Sequence, residues 1–410
     1  MRSLINNGSY CRLWAIGASS TTMRWSETVA LGAYVFNVTN SPFAVSLTLF
    51  FRMIPMLLFG MFIGALGDRI SRKLILVISF IILSIVYLIL GILVILEILE
   101  VWHIYVGAGI AGLVWATDFP IRRSMIGDVL PANQVGTGLG LDMATSNFAR
   151  VPGPFLAGVF LSTIGIESVY FMGSGLYVVA TITAISLNYK PSGPETHKVN
   201  PAKAILRGLK YVKHDPIIMT VLAITAIMNL FAFPYQGMVP VIARDTLHIN
   251  AFLLGILVST EGLGATLGAL WVASRAKPSQ YTRIYFWGSI IFLIAVIGFS
   301  RVPWYRVALP LLFIGGFGMS GFATMQSIIV ISKTPSTVRS SVLGVLAVTI
   351  GTGPIAALYM GALAQVLNAP TAVLIITTCG ILMMGITVIL SPNFLKLREL
   401  KPLKTIDDFQ

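Results

Sequence analysis

The chain has 410 residues, 56% of them hydrophobic and only 10% charged, with a formal net charge of +13. A soluble domain carries about 25% charged residues, so a mean hydropathy of +0.87 excludes an ordinary soluble domain and points to a chain whose solvent is lipid. The positive balance needs no nucleic acid, because bases beside apolar segments act as topology signals and are drawn to anionic lipid.

Stretches of about 20 apolar residues cross a bilayer as a helix. Unpaired backbone groups are excluded from lipid, so only helices or closed barrels remain. Unbroken runs such as Leu74 to Leu96 do not alternate as barrel strands would. The pattern predicts an all-α membrane protein with twelve spans: 12–37, 43–66, 74–96, 103–126, 136–161, 168–188, 217–242, 250–273, 281–299, 304–330, 339–365 and 371–390. An even number puts both termini on one side. That side holds the bases of 64–73 and 189–216 with Arg122, Arg123, Arg275, Lys277, Lys333 and Arg339; the other holds only Arg244, Arg301 and Arg306. Both termini are therefore expected in the cytoplasm.

The first apolar run is long and lacks a small-residue cleavage site, so no cleavable signal peptide is expected. Cys11 and Cys379 suggest neither a metal site nor a disulfide, and His103, His197, His214 and His248 fall in loops or at helix ends. No metal and no cofactor are expected.

The first span carries Met23-Arg24-Trp25-Ser26-Glu27. Arg24 and Glu27 share a helical face. At 1.5 Å per residue Glu27 lies about 22 Å above the start of the span, past the midplane. In the second span Arg52 lies at a similar depth, so Glu27 and Arg52 are expected to pair. An intramembrane charge is costly and functional by default, although an ion pair that only fixes packing is the alternative.

Between the second and third spans stands Gly64-Ala65-Leu66-Gly67-Asp68-Arg69-Ile70-Ser71-Arg72-Lys73. Gly64 and Gly67 allow a neighbouring helix to approach. Asp68 can accept from a helix N-terminus or from arginine, and Arg69, Arg72 and Lys73 hold the loop on the basic side. The fourth span ends with Asp118 and, four residues on, Arg122, an intrahelical pair that closes the cytoplasmic end or gates it. The fifth carries Asp142, Asn147 and Arg150 and then a kink at Gly153-Pro154. Arg122 and Arg150 are expected to pair with Asp118 and Asp142.

Pro191, Gly193, Pro194, Pro201 and the bases Lys190, Lys198, Lys203, Arg207, Lys210 and Lys213 mark 189–216 as a cytoplasmic linker. Ala202 to Lys213 reads as an amphipathic basic helix on the membrane face. The expected organisation is a six-helix bundle at 1–188, the linker, a second six-helix bundle at 217–390 and a cytoplasmic tail at 391–410.

The halves repeat, with Gly353-Pro354 standing 200 residues after Gly153-Pro154. The second half is poor in intramembrane charge. Glu261 lies mid-span in the eighth, with Asn229 and Gln236 in the seventh and Gln326 in the tenth as polar points. Phe231, Phe233, Tyr235, Trp271, Phe313, Phe317 and Phe322 line a greasy cavity or, for most, simply pack. With no base in its own span, Glu261 is expected to feel desolvation unopposed. It ranks first as a proton carrier, ahead of Glu27.

The 64–73 stretch resembles the signature between the second and third spans of the major facilitator superfamily. Gly64, Leu66, Gly67, Asp68, Arg69, Arg72 and Lys73 fit, while Ser71 stands where glycine is usual. The resemblance implies two pseudo-symmetric six-helix bundles around a midplane cavity. It also implies that Asp68 locks the outward-facing state against the eleventh span. The fifth-span Gly-Pro is similar to an antiporter signature, with Ala149 and Arg150 standing where glycine is common. Trp25 to Leu76 and Leu206 to Ile218 look like the branch of enterobactin exporters and macrolide efflux proteins. That implies a monomeric, proton-coupled exporter of an amphipathic organic molecule. A lysophospholipid flippase is the second reading, and a transporter-like scaffold or receptor with a decayed hinge the third. No nucleophile–base pair, phosphate loop or metal cluster marks an enzyme.

Overall fold

A computed structural model of the chain describes residues 4, 6–67, 71–189 and 201–395, with side chains described at all of these except 60–67, 132–133, 201–205, 207, 336–337 and 340. Asp68 and Arg69 of the hinge, Lys190 and Lys198 of the linker, and residues 396–410 lie outside the described residues.

The chain is helical throughout the described residues: α1 Gly8–Thr39, α2 Pro42–Gly67, α3 Arg72–Ile95, α4 Val101–Val129, α5 Ala132–Phe148, α6 Pro152–Thr163, α7 Ile166–Ile185, α8 Pro201–His214, α9 Pro216–Ile227, α10 Val239–Asp245, α11 Ala251–Arg275, α12 Tyr281–Arg301, α13 Tyr305–Lys333, α14 Ser336–Ile350, α15 Gly353–Leu367 and α16 Ala369–Leu390. Between α9 and α10 the backbone widens into a π turn, Met228–Ala232, and then tightens into a 3-10 turn, Phe233–Gly237.

Local chemistry sets the helix ends. Asn7 caps α1 by accepting from the Tyr10 amide at 3.1 Å, and Asn40 ends it in the left-handed region at φ 51°. Asp215 caps α9 through the amides of Ile217 and Ile218 at 2.9 and 3.2 Å, with Pro216 in the first turn where no N–H is needed. The two Gly-Pro sites do the same job in both halves. Helix α5 stops at Phe148 and α6 restarts at Pro152, while α14 stops at Ile350 and α15 restarts at Gly353, each new helix with proline in its first turn.

Among the described residues ten helical segments are long and apolar enough to cross a membrane. The expectation was twelve. The two that fall short are 12–37, which is one helix of 32 residues rich in polar side chains, and 136–161, which the break after Phe148 divides into α5 and α6.

The chain forms two compact units, residues 1–196 with 243–262, and residues 197–242 with 263–410. Residues 243–262 were expected with the second half and cluster with the first. In the first unit small residues let backbones touch. A side chain at Gly153 would meet Trp25 Cβ at 2.7 Å and the Thr22 carbonyl at 2.8 Å, and Ser26 Oγ donates to the Gly153 carbonyl at 2.7 Å. In the second unit α12 and α13 meet at Gly288, Gly318 and Gly321. Helix α8, expected on the membrane face, packs partly into the second unit: Tyr211 and Val212 are buried, Tyr211 donates to the Lys333 carbonyl at 3.4 Å, and Gly208 faces the Ser341 carbonyl of α14.

Candidate functional site

The buried charges of the first unit form one series. Glu27 of α1 and Arg52 of α2 make an ion pair, with side chains 1% and 8% exposed. The depth match expected from the helical rise is therefore realised as contact. Glu27 Oε1 is buried without a hydrogen-bond partner among the described residues, so one oxygen of the carboxylate is held and the other is not.

Asp118 and Arg122 pair within α4, Oδ1 to Nε at 3.2 Å, and Ser20 donates to Asp118 Oδ2 at 3.3 Å. Arg122 also pairs with Asp142 of α5, and Arg123 stands 3.5 Å from the other Asp142 oxygen with its guanidinium 3.8 Å over Phe119. Arg122 is 1% exposed, and Gly17 on α1 leaves the room its guanidinium fills. Two acids and two bases thus close on one another where α1, α4 and α5 meet.

Arg150 was expected near Asp118 and Asp142. It stands instead in the break between α5 and α6, its Nη2 3.4 Å from Glu261 Oε1 and its guanidinium 4.4 Å over Trp25. This corrects the expectation that desolvation acts on Glu261 unopposed: its own span holds no base, and the first half supplies one. The break makes the placement possible. Pro154 has no N–H to donate to the Arg150 carbonyl, Ser259 donates to the Val151 carbonyl at 2.7 Å, and Gly262 packs on Arg150.

Arg24 was expected beside Glu27 and forms no ion pair among the described residues. Its guanidinium lies 4.7 Å over Trp115 and 5.5 Å over Trp25. A cavity opens beside it, lined also by Ser20, Arg52, Trp115, Asp118, Phe119 and Tyr177.

The polar points of the second unit are only partly brought together. Gln326 Nε2 donates to Thr225 Oγ1 at 2.8 Å, and Asn229 Nδ2 to the Thr225 carbonyl at 2.9 Å. Gln236 lies apart in the 3-10 turn. Phe233, Tyr235 and Phe322 pack on Phe292 and Tyr285, whereas Trp271 and Phe317 line an open groove with Trp287.

At the hinge, Gly64 closes the last turns of α2. Arg72 Nη1 lies 2.8 Å from Asp128 Oδ2 at the end of α4, and Lys73 donates to the carbonyls of Ile185 and Leu187 at 2.7 and 2.8 Å. Tyr189 donates to the same Asp128 oxygen at 2.5 Å. Burial, this hydrogen bond and the Asp128 charge push the Tyr189 phenol up to about 12. Sequence reasoning missed Asp128; the signal available was an acid at the end of a span on the side where Arg72 and Lys73 gather.

A family model described as "transmembrane secretion effector" matches residues 3–407. The staphyloferrin A transporter of Staphylococcus aureus is 23% identical over 67% of this chain and 69% of its own length. The multidrug resistance protein MdtG of Salmonella typhimurium is 24% identical over 79% of this chain and 74% of its own. Among solved structures, an inward-facing, occupied bacterial homologue of the lysosomal transporter Spinster aligns with a TM-score of 0.74 at 15% identity, covering 95% of this chain and 97% of that one.

Proposed function

This chain belongs to the transmembrane secretion effector family of the major facilitator superfamily, and on that footing we propose that it is a proton-coupled exporter of amphipathic organic molecules working by alternating access. In this reading all twelve expected segments cross the bacterial inner membrane, α5 with α6 as one broken span, and both termini are cytoplasmic. The working unit is a monomer.

The observation that carries the reading is the run of interlocked charges inside the spans: Glu27 with Arg52, Asp118 and Asp142 with Arg122 and Arg123, and Arg150 with Glu261. Charges at a helix centre cost about 2.5–3.5 kcal/mol each to insert. A packing role is filled more cheaply by apolar side chains. Carboxylates that exchange a proton for an arginine partner are what coupling needs. Glu27, with one oxygen unpartnered, is the first candidate carrier and Glu261 the second. The hinge, with Asp68, Arg69, Arg72 and Lys73, and the Asp118–Arg122 pair act as the conformational latch. Gly153-Pro154 and Gly353-Pro354 act as the bending points, and Asn229, Gln236 and Gln326 as polar lining from the second half. The multidrug and staphyloferrin A relatives support a drug- or siderophore-like substrate.

A lipid-handling role, including flipping of lysophospholipids, is the second reading. One observation favours it. In the second unit a groove lined by Trp271, Trp287 and Phe317 ends at Arg275, Lys277 and Arg283, apolar along its length and basic at its end.

Inside-out vesicles carrying the chain, given an imposed proton gradient and a panel of anionic, neutral and cationic amphipathic probes, test the proposal. Gradient-dependent uptake of at least one soluble probe is expected. Uptake of none, with movement of fluorescent lysophospholipid that ignores the gradient, moves the assignment to the lipid reading.

A further inference from the structure

We propose that Arg24 is the recognition point for an anionic group on the transported molecule, so that the substrates of this chain are amphipathic organic anions, carboxylates foremost. This rests on the exporter reading and adds the substrate's charge to it.

The first argument is a charge balance. Apart from exposed Arg12 and from Arg72, which pairs with Asp128, both at span ends, five guanidiniums lie within the spans of the first unit, those of Arg24, Arg52, Arg122, Arg123 and Arg150. They face four carboxylates, Glu27, Asp118, Asp142 and Glu261. Each of these four carboxylates is engaged by an arginine other than Arg24, and of the five arginines only Arg24 has no carboxylate at ion-pair distance among the described residues. A cation retained inside a span without a counter-charge is a functional group by default, and here the missing partner is an anion.

The second argument is geometric. The Arg24 guanidinium carbon lies 4.7 Å over the Trp115 ring and 5.5 Å over the Trp25 ring. Rings attract the cation through their faces but offer its N–H donors no oxygen acceptor, which an oxyanion would supply. The third is space. The cavity beside Arg24 has a free volume of about 40 Å³. At about 10–15 Å³ for each water, that is room for roughly three waters, which suits a carboxylate and not a whole drug-sized molecule. The rest of the substrate has Trp115, half-buried, and Phe119, exposed, to lie against. Asp118 also lines the cavity and would repel an anion on its own. Its two oxygens are taken by Arg122 and Ser20, so its charge is already answered.

The test uses two probes that share a ring system and differ in charge, 2-naphthoate and 2-naphthamide, titrated calorimetrically into the purified full chain in detergent. Charge-assisted pairing with a guanidinium should make the naphthoate bind about tenfold tighter than the amide. Arg24→Gln should erase that preference and leave the amide affinity within about twofold of wild type. Arg24→Lys, which keeps the charge and loses the planar fork, should keep part of it. Equal affinities in wild type, or a preference that survives in Arg24→Gln, would overturn the proposal. Should Arg24→Gln fail to fold, Arg24→Lys decides: an undiminished preference overturns the assignment and a reduced one supports it. Binding is read here without transport. A wild-type chain that prefers the carboxylate but moves no probe in vesicles would keep Arg24 as an anion site and remove the exporter reading instead.

Discussion

Arg150 reaches Glu261 across 111 positions of sequence, Nη2 to Oε1 at 3.4 Å, at the point where the fifth span breaks into two helices. The two side chains are 11% and 5% exposed. Glu261 therefore carries a counter-charge in this state, and its candidacy as a proton carrier depends on Arg150 moving away.

Removing one member of a buried pair leaves the other charge in a poor solvent, at a typical cost of about 3–5 kcal/mol. Arg150→Gln and Glu261→Gln are each expected to lower thermal stability in detergent. The double substitution should recover part of the loss, with a coupling of at least about 1 kcal/mol in a double-mutant cycle. Strict additivity of the two single effects would show that the contact carries no energy.

Gly153 and Gly175 make a matched pair for the packing argument. A methyl at Gly153 would stand 2.7 Å from Trp25 Cβ, whereas one at Gly175 meets nothing within 4 Å. Gly153→Ala is expected to destabilise by about 1–3 kcal/mol through overpacking. Gly175→Ala should be neutral or stabilising by up to about 1 kcal/mol from helix propensity. Melting curves that rank the two variants the other way would mean that α1 and α6 are not packed as described.

Asp128 ties Arg72 to Tyr189, and the tie has a pH signature. The Tyr189 phenol is pushed up to about 12 by burial, by its hydrogen bond to Asp128 and by that residue's charge, against an ordinary value of about 10. Between those values the folded chain keeps a proton that the unfolded chain has released. The contribution to stability is thus complete below about pH 10 and is lost as the pH rises through about 12. Difference absorbance between the wild type and Tyr189→Phe should show the raised titration, and Asp128→Asn should move it downward without restoring the ordinary value, since burial remains. A Tyr189 titration indifferent to Asp128→Asn would remove Asp128 from the hinge.

What could be read from the chain, and what could not, follows from geometry. The apolar runs and the two Gly-Pro breaks are local features, and the helices start and stop by them. Glu27 and Arg52 were legible as a pair because depth along a helix is a matter of counting residues at a fixed rise. Arg150 with Glu261 was not. A break resets the direction in which the following side chains point, and no one-dimensional pattern says that residues 243–262 cluster with the first unit. Arg24 was placed near Glu27 by their i,i+3 spacing and lies over Trp115 instead, because the direction a long side chain takes from its helix is set by the neighbours it packs on. The first expected span, 12–37, carries Arg24 and Glu27, the polar residues on which the proposals for this chain rest.

The central claim is that the intramembrane charges of the first unit couple proton movement to export. The measurement that tests it most directly records both fluxes in the same proteoliposomes, with an internal pH dye and a fluorescent amphipathic anion as the exported probe. Wild type should move protons only while the probe moves, and Glu27→Gln should lose both fluxes while still binding the probe, with a lowered melting temperature because buried Arg52 loses its partner. Probe transport at the wild-type rate with no accompanying proton movement, in either protein, would contradict the account.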